Sequence, residues 1–194
     1  MYPFFKRLMD FVVAFLALPF WFLIFIVVAI LIKLDDGGPV FYTAERLGKD
    51  GKMLKMLKFR SMKVNAENIV NADGNTYNSA DDPRVTKIGR VLRETSLDET
   101  PQLLNVLTGG MSIIGPRASE YDSLESYKED ELDKLKVRPG ISGYTQAYYR
   151  NSISAREKRL YDAWYANNMS FKLDVKIFFK TIETVLLRKN LYSN

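Results

Sequence analysis

The sequence has 194 residues, a formal net charge of +5, and neither cysteine nor histidine. These absences exclude cysteine nucleophiles, zinc sites built from thiolate or imidazole, and Ser-His triads, so acid–base chemistry must use Asp, Glu, Lys, Arg or Tyr. The positive charge favours anionic partners such as lipid headgroups, nucleotides or nucleic acid. A bound metal would be a hard ion with oxygen ligands, such as Mg²⁺. The length fits one domain of ordinary size plus a membrane segment.

An uncharged apolar run covers Phe11–Ile32 and is long enough to span a bilayer, which takes about 20 residues. The simplest interpretation is a transmembrane anchor. Pro19 offers an alternative, because a proline inside a helix removes one backbone hydrogen bond and kinks the rod. A kinked helix can enter and leave the membrane by the same face. Positive charges flank both ends of the run, so the positive-inside rule does not choose between the two topologies.

A β-hairpin is predicted after the apolar run. Asp35–Pro39 is typical of a turn, and a short strand is predicted to follow at Val40–Tyr42. Glu45–Gly51 ends in Asp50-Gly51, which favours a tight hairpin turn. Met53–Phe59 alternates apolar residues with lysines and predicts a basic strand or a short interfacial element. Its lysines form either a solvated face or a contact surface for phosphate or lipid.

The next segment, Asn65–Asp82, is rich in Asn, Asp, Gly and Ser, which predicts a mobile loop or a loose helix followed by a loop. The loop is either an insertion or a lid over a site. A short helix is predicted at Val85–Leu92.

The central stretch runs from Arg93 to Arg117 and carries two adjacent acids, Asp98 and Glu99, at a predicted helix start. Ser96 with Glu99 fits a capping box, and Thr100-Pro101 offers an alternative start one turn later. One interpretation is a capped helix with acids near its positive end. The other makes Asp98 a nucleophile that attacks a phosphoryl group held between Arg93 and Arg117, forming an acyl phosphate.

The C-terminal part is predicted to be mainly helical. The last helix has an apolar face flanked by lysines, which suits either core packing or a membrane surface. The predicted elements are an exposed amphipathic helix at Ser119–Leu135, a loop at Lys136–Gly143, an aromatic-rich segment at Tyr144–Tyr149, and helices at Ser154–Asn167 and Phe171–Arg188.

Seven sequence blocks together resemble the small monotopic phosphoglycosyl transferases, the bacterial sugar transferase family. The resemblance covers nearly the whole chain, and the blocks stand in the family's order. They are KRLMD at Lys6–Asp10, GPVFYTAERLG at Gly38–Gly48, KFRSM at Lys58–Met62, DPRVTKIGRVLR at Asp82–Arg93, SLDETPQLLNVLTGGMSIIGPR at Ser96–Arg117, KVRPGISGYTQ at Lys136–Gln146 and LDVKI at Leu173–Ile177.

The resemblance implies a mainly helical α+β fold. Residues 1–36 would form a re-entrant membrane helix, broken at its middle, and residues 37–194 a catalytic domain with a short β-hairpin and interfacial amphipathic helices. The implied reaction transfers a phospho-sugar from a UDP-sugar to a polyprenyl phosphate, usually undecaprenyl phosphate, with release of UMP. The implied location is the cytosolic face of the bacterial inner membrane, as the first membrane step of glycan assembly.

The resemblance also implies roles for individual residues. Asp98 matches the nucleophile that forms a covalent phospho-sugar intermediate, and Glu99 matches the second acid of the dyad. Mg²⁺ would offset the diphosphate charge, with Asp98 as a ligand. Four basic residues match positions that bind the phosphate or the nucleotide sugar: Arg93, Arg117, Arg138 and Arg150. Structural ion pairs are the alternative role for these arginines.

Two positions depart from the family pattern. Leu18-Pro19 stands where the family has a Ser-Pro pair deeper in the membrane segment, so the break would depend on proline alone. Pro116-Arg117-Ala118 stands where the family has Pro-Arg-Pro.

A rival interpretation is a non-catalytic module that binds anionic lipid or a partner enzyme at the membrane surface. A nucleic-acid partner is not expected, because the apolar segment argues against it. The sequence names neither the sugar nor the glycan, and it leaves the oligomeric state open between a monomer and a homodimer.

Overall fold

The computed structural model describes residues 2–67, 69, 71, 77, 79 and 81–187. The described chain is a mainly helical α+β protein with one long apolar helix at its N-terminus, as predicted. Its elements in chain order are α1 (Tyr2–Asp36), β1 (Phe41–Leu47), β2 (Met53–Phe59), α2 (Lys87–Thr95), α3 (Gln102–Leu107), β3 (Ser112–Ile114), β4 (Gly140–Ser142), α4 (Tyr144–Tyr148), α5 (Ala155–Asn168) and α6 (Phe171–Leu186).

The break predicted at the middle of α1 is absent, because the helix continues through Pro19 without interruption. By length and composition α1 could cross a membrane. Its 35 residues extend about 52 Å at ~1.5 Å per residue. One stripe of the helix is buried against the rest of the protein: Lys6, Asp10, Ala14, Trp21, Val28 and Ile32. The remaining surface carries large exposed apolar side chains along its length, from Phe4 (73% exposed) to Leu34 (78% exposed).

Both ends of α1 are held by the same folded domain. Near the N-terminal end, Lys6 Nζ lies 2.6 Å from Asp174 of α6. At the C-terminal end, Asp36 is paired with Arg60, and Asp35 accepts a hydrogen bond from the Ile88 backbone N–H at 3.0 Å. The domain therefore contacts α1 from its first turns to its last.

The predicted hairpin is confirmed. Strands β1 and β2 pair antiparallel from Phe41 opposite Phe59 to Leu47 opposite Met53. The turn between them uses Asp50 at φ 58° and Gly51 at φ 71°, the left-handed conformations that a tight Asp-Gly turn requires. Of the two alternatives for Met53–Phe59, the structure has the strand.

The predicted amphipathic helix at Ser119–Leu135 is wrong. Two 3₁₀ segments replace it, at Tyr121–Ser126 and Glu129–Lys136. Glu131 is fully buried and accepts hydrogen bonds from Arg156 and Arg159 of α5. Glu131 and Lys134 are therefore buried, whereas other charged side chains of the segment, such as Glu125 and Glu129, stay exposed.

The predicted loop at Lys136–Gly143 contains β4, which pairs parallel with β3. Glycines permit this close pairing. A Cβ atom on Gly140 would lie 2.1 Å from the Gly115 backbone nitrogen, and one on Gly143 would lie 2.0 Å from the Gly115 carbonyl oxygen. These glycines of the Gly-Pro-Arg and Arg-Pro-Gly blocks therefore serve backbone packing.

The remaining predictions concern helices and one long loop. The two C-terminal helices form as predicted, and Ser154 caps α5 by accepting from the Glu157 N–H. Within α6, Ile177 is buried while Phe179 is 64% exposed, so one apolar face stays uncovered. The end of the predicted helix at residue 188 lies outside the described residues, as do positions 68, 70, 72–76, 78 and 80 of the loop predicted at Asn65–Asp82.

Candidate active site

The two adjacent acids lie in a tight turn between α2 and α3. Helix α2 ends at Thr95, and Ser96 takes a left-handed backbone (φ 57°) whose N–H bonds back to α2. Asp98 and Glu99 occupy the single 3₁₀ turn Leu97–Glu99 that follows. The capping box predicted for Ser96 is wrong, because its side chain makes no capping hydrogen bond. Helix α3 begins at Gln102, close to the alternative start at Thr100-Pro101.

Glu99 is held by two basic side chains. Lys58 Nζ, from the end of β2, donates a hydrogen bond to Glu99 Oε1 at 2.8 Å, and Arg117 Nη1 lies 3.9 Å from the same oxygen. Burial raises the pKa of Glu99, but the charges of Lys58 and Arg117 outweigh it and hold the pKa below the usual glutamate range. Glu99 is therefore a fixed anion.

The Asp98 carboxylate accepts no hydrogen bond from the residues that the structure describes. Burial and the neighbouring Glu99 charge raise its pKa above the usual aspartate range. Three cations act in the opposite direction and favour its ionised form: Lys58, Arg93 and Arg117. The Asp98 carboxylate is thus partly buried and close to three cations, and no hydrogen bond from the described residues engages its oxygens.

Arg93 lies in the last turn of α2, one turn before the acids. Its Nη1 atom is buried and has no hydrogen-bond partner within the described part of the chain. A buried unpaired donor costs about 1–3 kcal/mol, more for a charged group, unless a ligand satisfies it. An anion beside Asp98 would supply the missing acceptor.

Arg150 reaches the site from the loop after α4. Its backbone is left-handed (φ 49°), and its Nη2 donates to Ser96 Oγ at 3.1 Å. Its charge acts on both Glu99 and Asp98. Two residues with strained backbones, Ser96 and Arg150, therefore meet beside the acids, as is common at functional sites.

Arg138 lies elsewhere. Its Nε donates to the Gly109 carbonyl oxygen at 2.8 Å, beyond the C-terminal end of α3, whereas the acids precede the N-terminal end. Arg7 of α1 binds the same end of α3 through Val106 O and Leu107 O. Of the four arginines that the sequence singled out, the structure brings Arg93, Arg117 and Arg150 to the acids and places Arg138 at a helix terminus.

The sequence predicted Lys58 as one of several lysines of a basic strand that either face solvent or contact phosphate or lipid, and it did not predict a contact with Glu99. The available signal was its place in the KFRSM block, at the end of β2. The alternating pattern could not show which lysine of β2 meets the acids, because that depends on how the hairpin packs against the turn after α2.

The carboxylates at the site suit one kind of metal coordination. No group of three or more acids that could hold a metal ion occurs among the described residues. Asp98 is free to ligate, whereas Glu99 is bound to Lys58. A Mg²⁺ ion held by one or two carboxylates and completed by substrate phosphates and water fits such a donor set.

Comparison with known proteins gives the family. The family model described as bacterial sugar transferase matches residues 1–188. The exopolysaccharide production protein ExoY of Sinorhizobium fredii is 40% identical over 198 residues, covering 96% of this chain and 88% of ExoY.

Two longer relatives carry names that describe a reaction. The UDP-N-acetylgalactosamine-undecaprenyl-phosphate N-acetylgalactosaminephosphotransferase of Aeromonas hydrophila is 38% identical over 95% of this chain. The undecaprenyl-phosphate galactose phosphotransferase of Salmonella typhimurium is 39% identical over 81% of it. The chain spans only 44% and 35% of the lengths of these two relatives. The match over residues 1–188, together with these identities, establishes that the chain belongs to the bacterial sugar transferase family.

Proposed function

We propose that this protein transfers a sugar phosphate from a UDP-sugar to undecaprenyl phosphate at a membrane surface and releases UMP. One observation carries the proposal: the Asp98 carboxylate, which accepts no hydrogen bond from the described residues, lies among four cations that outnumber the two acids of the site. Such a site suits a ligand with about two negative charges and a phosphorus atom open to attack. The names of the Aeromonas and Salmonella relatives describe this class of reaction.

In the first half of the reaction, an Asp98 carboxylate oxygen attacks the β-phosphorus of the UDP-sugar. A bond forms between that oxygen and phosphorus, and the bond from the β-phosphorus to the bridging oxygen breaks. UMP leaves with the electron pair, and the sugar phosphate remains on Asp98 as an acyl phosphate. In the second half, a phosphate oxygen of undecaprenyl phosphate attacks the same phosphorus, and the Asp98 carboxylate is released.

The basic residues hold the charge in place during both halves. Arg93 offers to a phosphate oxygen its Nη1, which has no partner among the described residues, and the charges of Arg117 and Arg150 act beside the same acids. Lys58 keeps Glu99 ionised, and Glu99 in turn holds Lys58 beside the reacting phosphate. Mg²⁺, with Asp98 as a ligand, would neutralise part of the diphosphate charge when bound.

We further propose that α1, although unbroken, is re-entrant in the sense that both of its ends lie on one face of the membrane, and that the domain lies on the cytosolic face of the bacterial inner membrane. Both ends of α1 are bound to the same domain through Asp174 and Arg60. A helix that crossed the bilayer with these contacts intact would draw a polar domain into the hydrocarbon, where unsatisfied polar groups cost several kcal/mol each. The exposed apolar side chains of α1 and α6 provide the surface that lipid would cover.

UMP release tests the reaction. The purified protein in nanodiscs, with Mg²⁺ and undecaprenyl phosphate, is offered a panel of UDP-sugars. We expect release with at least one donor, a mass increase equal to one sugar phosphate when the acceptor is omitted, and neither signal in Asp98→Asn. The matched control is Asp50→Asn, which changes an exposed carboxylate in the hairpin turn.

Silence across the panel, with salt-sensitive binding to anionic vesicles intact, would instead support a non-catalytic membrane module.

Labelling tests the topology, because the chain has no native cysteine. Single cysteines at Pro3 and Pro39 flank the apolar run, and both side chains are exposed. A membrane-impermeant maleimide should label both positions from the same side of sealed vesicles. Labelling from opposite sides refutes the re-entrant arrangement.

A further inference from the structure

The backbone of Arg117 is held on both sides by a single buried ion pair. The Arg117 N–H donates to Asp162 Oδ2 at 3.0 Å, and the Arg117 carbonyl oxygen accepts from Lys134 Nζ at 2.9 Å. Lys134 Nζ and Asp162 Oδ2 are themselves 3.3 Å apart. The two side chains therefore bind both backbone polar groups of Arg117, the residue whose guanidinium lies near Glu99.

The pair is built into the interior. Lys134 is 4% exposed and Asp162 is fully buried. Each has a further partner, since Lys134 donates to Ser119 Oγ at 3.0 Å and Thr145 Oγ1 donates to Asp162 Oδ1 at 3.0 Å. Lys134 comes from the 3₁₀ segment Glu129–Lys136 and Asp162 from α5, so two elements outside the site converge on Arg117.

The side chain of Arg117 needs such support. It is 49% exposed, and its Nη1 lies 3.9 Å from Glu99 Oε1, too far for a hydrogen bond. A long exposed arginine carries considerable rotamer freedom, so its contacts within the site do not fix its direction. The position of its Cα atom, and the direction in which the side chain leaves the backbone, must come from the peptide groups that the ion pair holds.

We propose that Lys134 and Asp162 are positioning residues that hold the backbone of Arg117 so that its guanidinium reaches the phosphate beside Asp98. The inference rests on the proposed function, because it assigns these residues to the same site. Burying an ion pair gives little net stability, since desolvation offsets the attraction between the charges. Its contribution here is the fixed geometry of the Arg117 peptide.

A second buried acid provides a matched control. Glu131 lies in the same 3₁₀ segment as Lys134, is fully buried, and binds Arg159 of α5 at 2.9 Å. It thus joins the same two elements, but no contact joins it to Arg117 among the described residues. Glu131→Gln and Asp162→Asn both neutralise a buried acid between these elements, and only the second loosens the Arg117 peptide.

The first measurement is hydrogen exchange, which does not depend on activity. We expect the peptide covering residues 112–119 to exchange faster in Asp162→Asn than in wild type, and at the wild-type rate in Glu131→Gln. Unchanged exchange in Asp162→Asn, or equal acceleration in both variants, overturns the positioning role. Because neutralising one partner leaves Lys134 unpaired, Lys134→Met/Asp162→Asn is measured in parallel as a charge-balanced variant that is better able to fold.

The second measurement is turnover. We expect Lys134→Met/Asp162→Asn to lose about 10- to 100-fold in kcat/KM, the scale of a small misplacement of a catalytic group. In an Arg117→Ala background the same double substitution should change kcat/KM by less than about 2-fold, because residues that act through one another are not additive. Independent, additive losses overturn the proposal. Failure of the wild type to release UMP rejects the proposed function instead, and the exchange result stands apart from it.

Discussion

Two clusters of charged side chains differ in how completely their members are paired with one another. The junction cluster joins α1 to α6 and β3 through Lys6, Asp10 and Asp174. Asp174 accepts hydrogen bonds from Tyr2, Lys6 and Tyr165, and Asp10 accepts from the Ser112 hydroxyl and the Ile113 N–H. Each carboxylate of the junction cluster is thus paired by groups of the protein itself.

The acid turn differs in both charge and pairing. Four cations face two carboxylates, Asp98 accepts no hydrogen bond from the described residues, and a buried nitrogen of Arg93 has no partner there. A network in which every polar group has a hydrogen-bond partner stabilises a fold. A network with unpaired groups and excess positive charge costs free energy, and a bound anion can remove that cost. The comparison therefore separates charged groups that pair with one another and stabilise the fold from charged groups that are available to bind a ligand.

The largest expected effect on stability is at the junction cluster. Asp174→Asn removes the 2.6 Å ion pair of the buried Lys6 and leaves it only the longer 4.0 Å contact with Asp10, so we expect a loss of about 3–5 kcal/mol in the free energy of unfolding. Urea unfolding followed by tryptophan fluorescence in detergent micelles measures it. Asp98→Asn, which removes a like-charge contact with Glu99, should be at least as stable as wild type at neutral pH. Equal destabilisation by both changes would abolish the distinction between the clusters.

Arg93→Met should separate binding from stability. We expect the KM for the UDP-sugar to rise about 10- to 100-fold, because a charge-assisted hydrogen bond contributes about 1.5–3 kcal/mol. The free energy of unfolding should stay the same or increase, because a buried unpaired donor is removed. Steady-state kinetics and urea unfolding of one preparation measure the KM and the free energy of unfolding. A destabilised variant with an unchanged KM would show that Arg93 stabilises the fold and does not bind the substrate.

Lys58→Met should move the pH dependence of turnover. Lys58 favours the ionised forms of both acids, so its removal raises their pKa values. If turnover needs ionised Asp98, activity is present above the pKa of Asp98 and lost below it. The pH at which kcat/KM falls on the acidic side of the profile should therefore rise by about 1 unit. A kcat/KM profile from pH 5 to 9 measures the shift, with Lys55→Met as the control from the same strand. An unchanged profile would show that Lys58 does not act on Asp98.

The smallest expected effect on turnover is that of Arg138→Met. Its bond to the Gly109 carbonyl oxygen assigns it a structural role at the end of α3, so we expect kcat/KM to change less than about 3-fold and stability to fall by about 1–2 kcal/mol. A much larger loss of turnover, with stability intact, would return Arg138 to the substrate site.

Short sequence patterns predicted the elements that depend mainly on residues close to one another in the chain. The apolar run predicted α1, Asp50-Gly51 predicted the hairpin turn, and the helix predicted at Ser154–Asn167 agrees with α5 to within one residue at each end. The capping-box pattern at Ser96 and Glu99 failed because Ser96 ends α2 in a left-handed conformation, and its side chain makes no capping hydrogen bond.

Contacts between distant segments explain what the sequence did not reveal. Glu131 was predicted to be exposed, but its arginine partners lie 25 and 28 positions away in the chain. Lys58 meets Glu99 across 41 positions. The identity of the acids and of three arginines at the site could be inferred from the resemblance, whereas the support beneath Arg117 depends on burial that no local pattern reports.

The pairing of Lys6 with Asp174 also sets the order in which the protein can be assembled. The two residues are separated by 168 positions, so the ribosome has made most of the chain before the first turns of α1 can meet their partner. Before that point α1 can already bind Arg60 near its C-terminal end and, through Arg7 and Asp10, α3 and β3 near its N-terminal end. The contacts of Tyr2 and Lys6 with Asp174 are therefore the last of the described contacts of α1 to form, and a nascent chain that ends before Asp174 cannot form them.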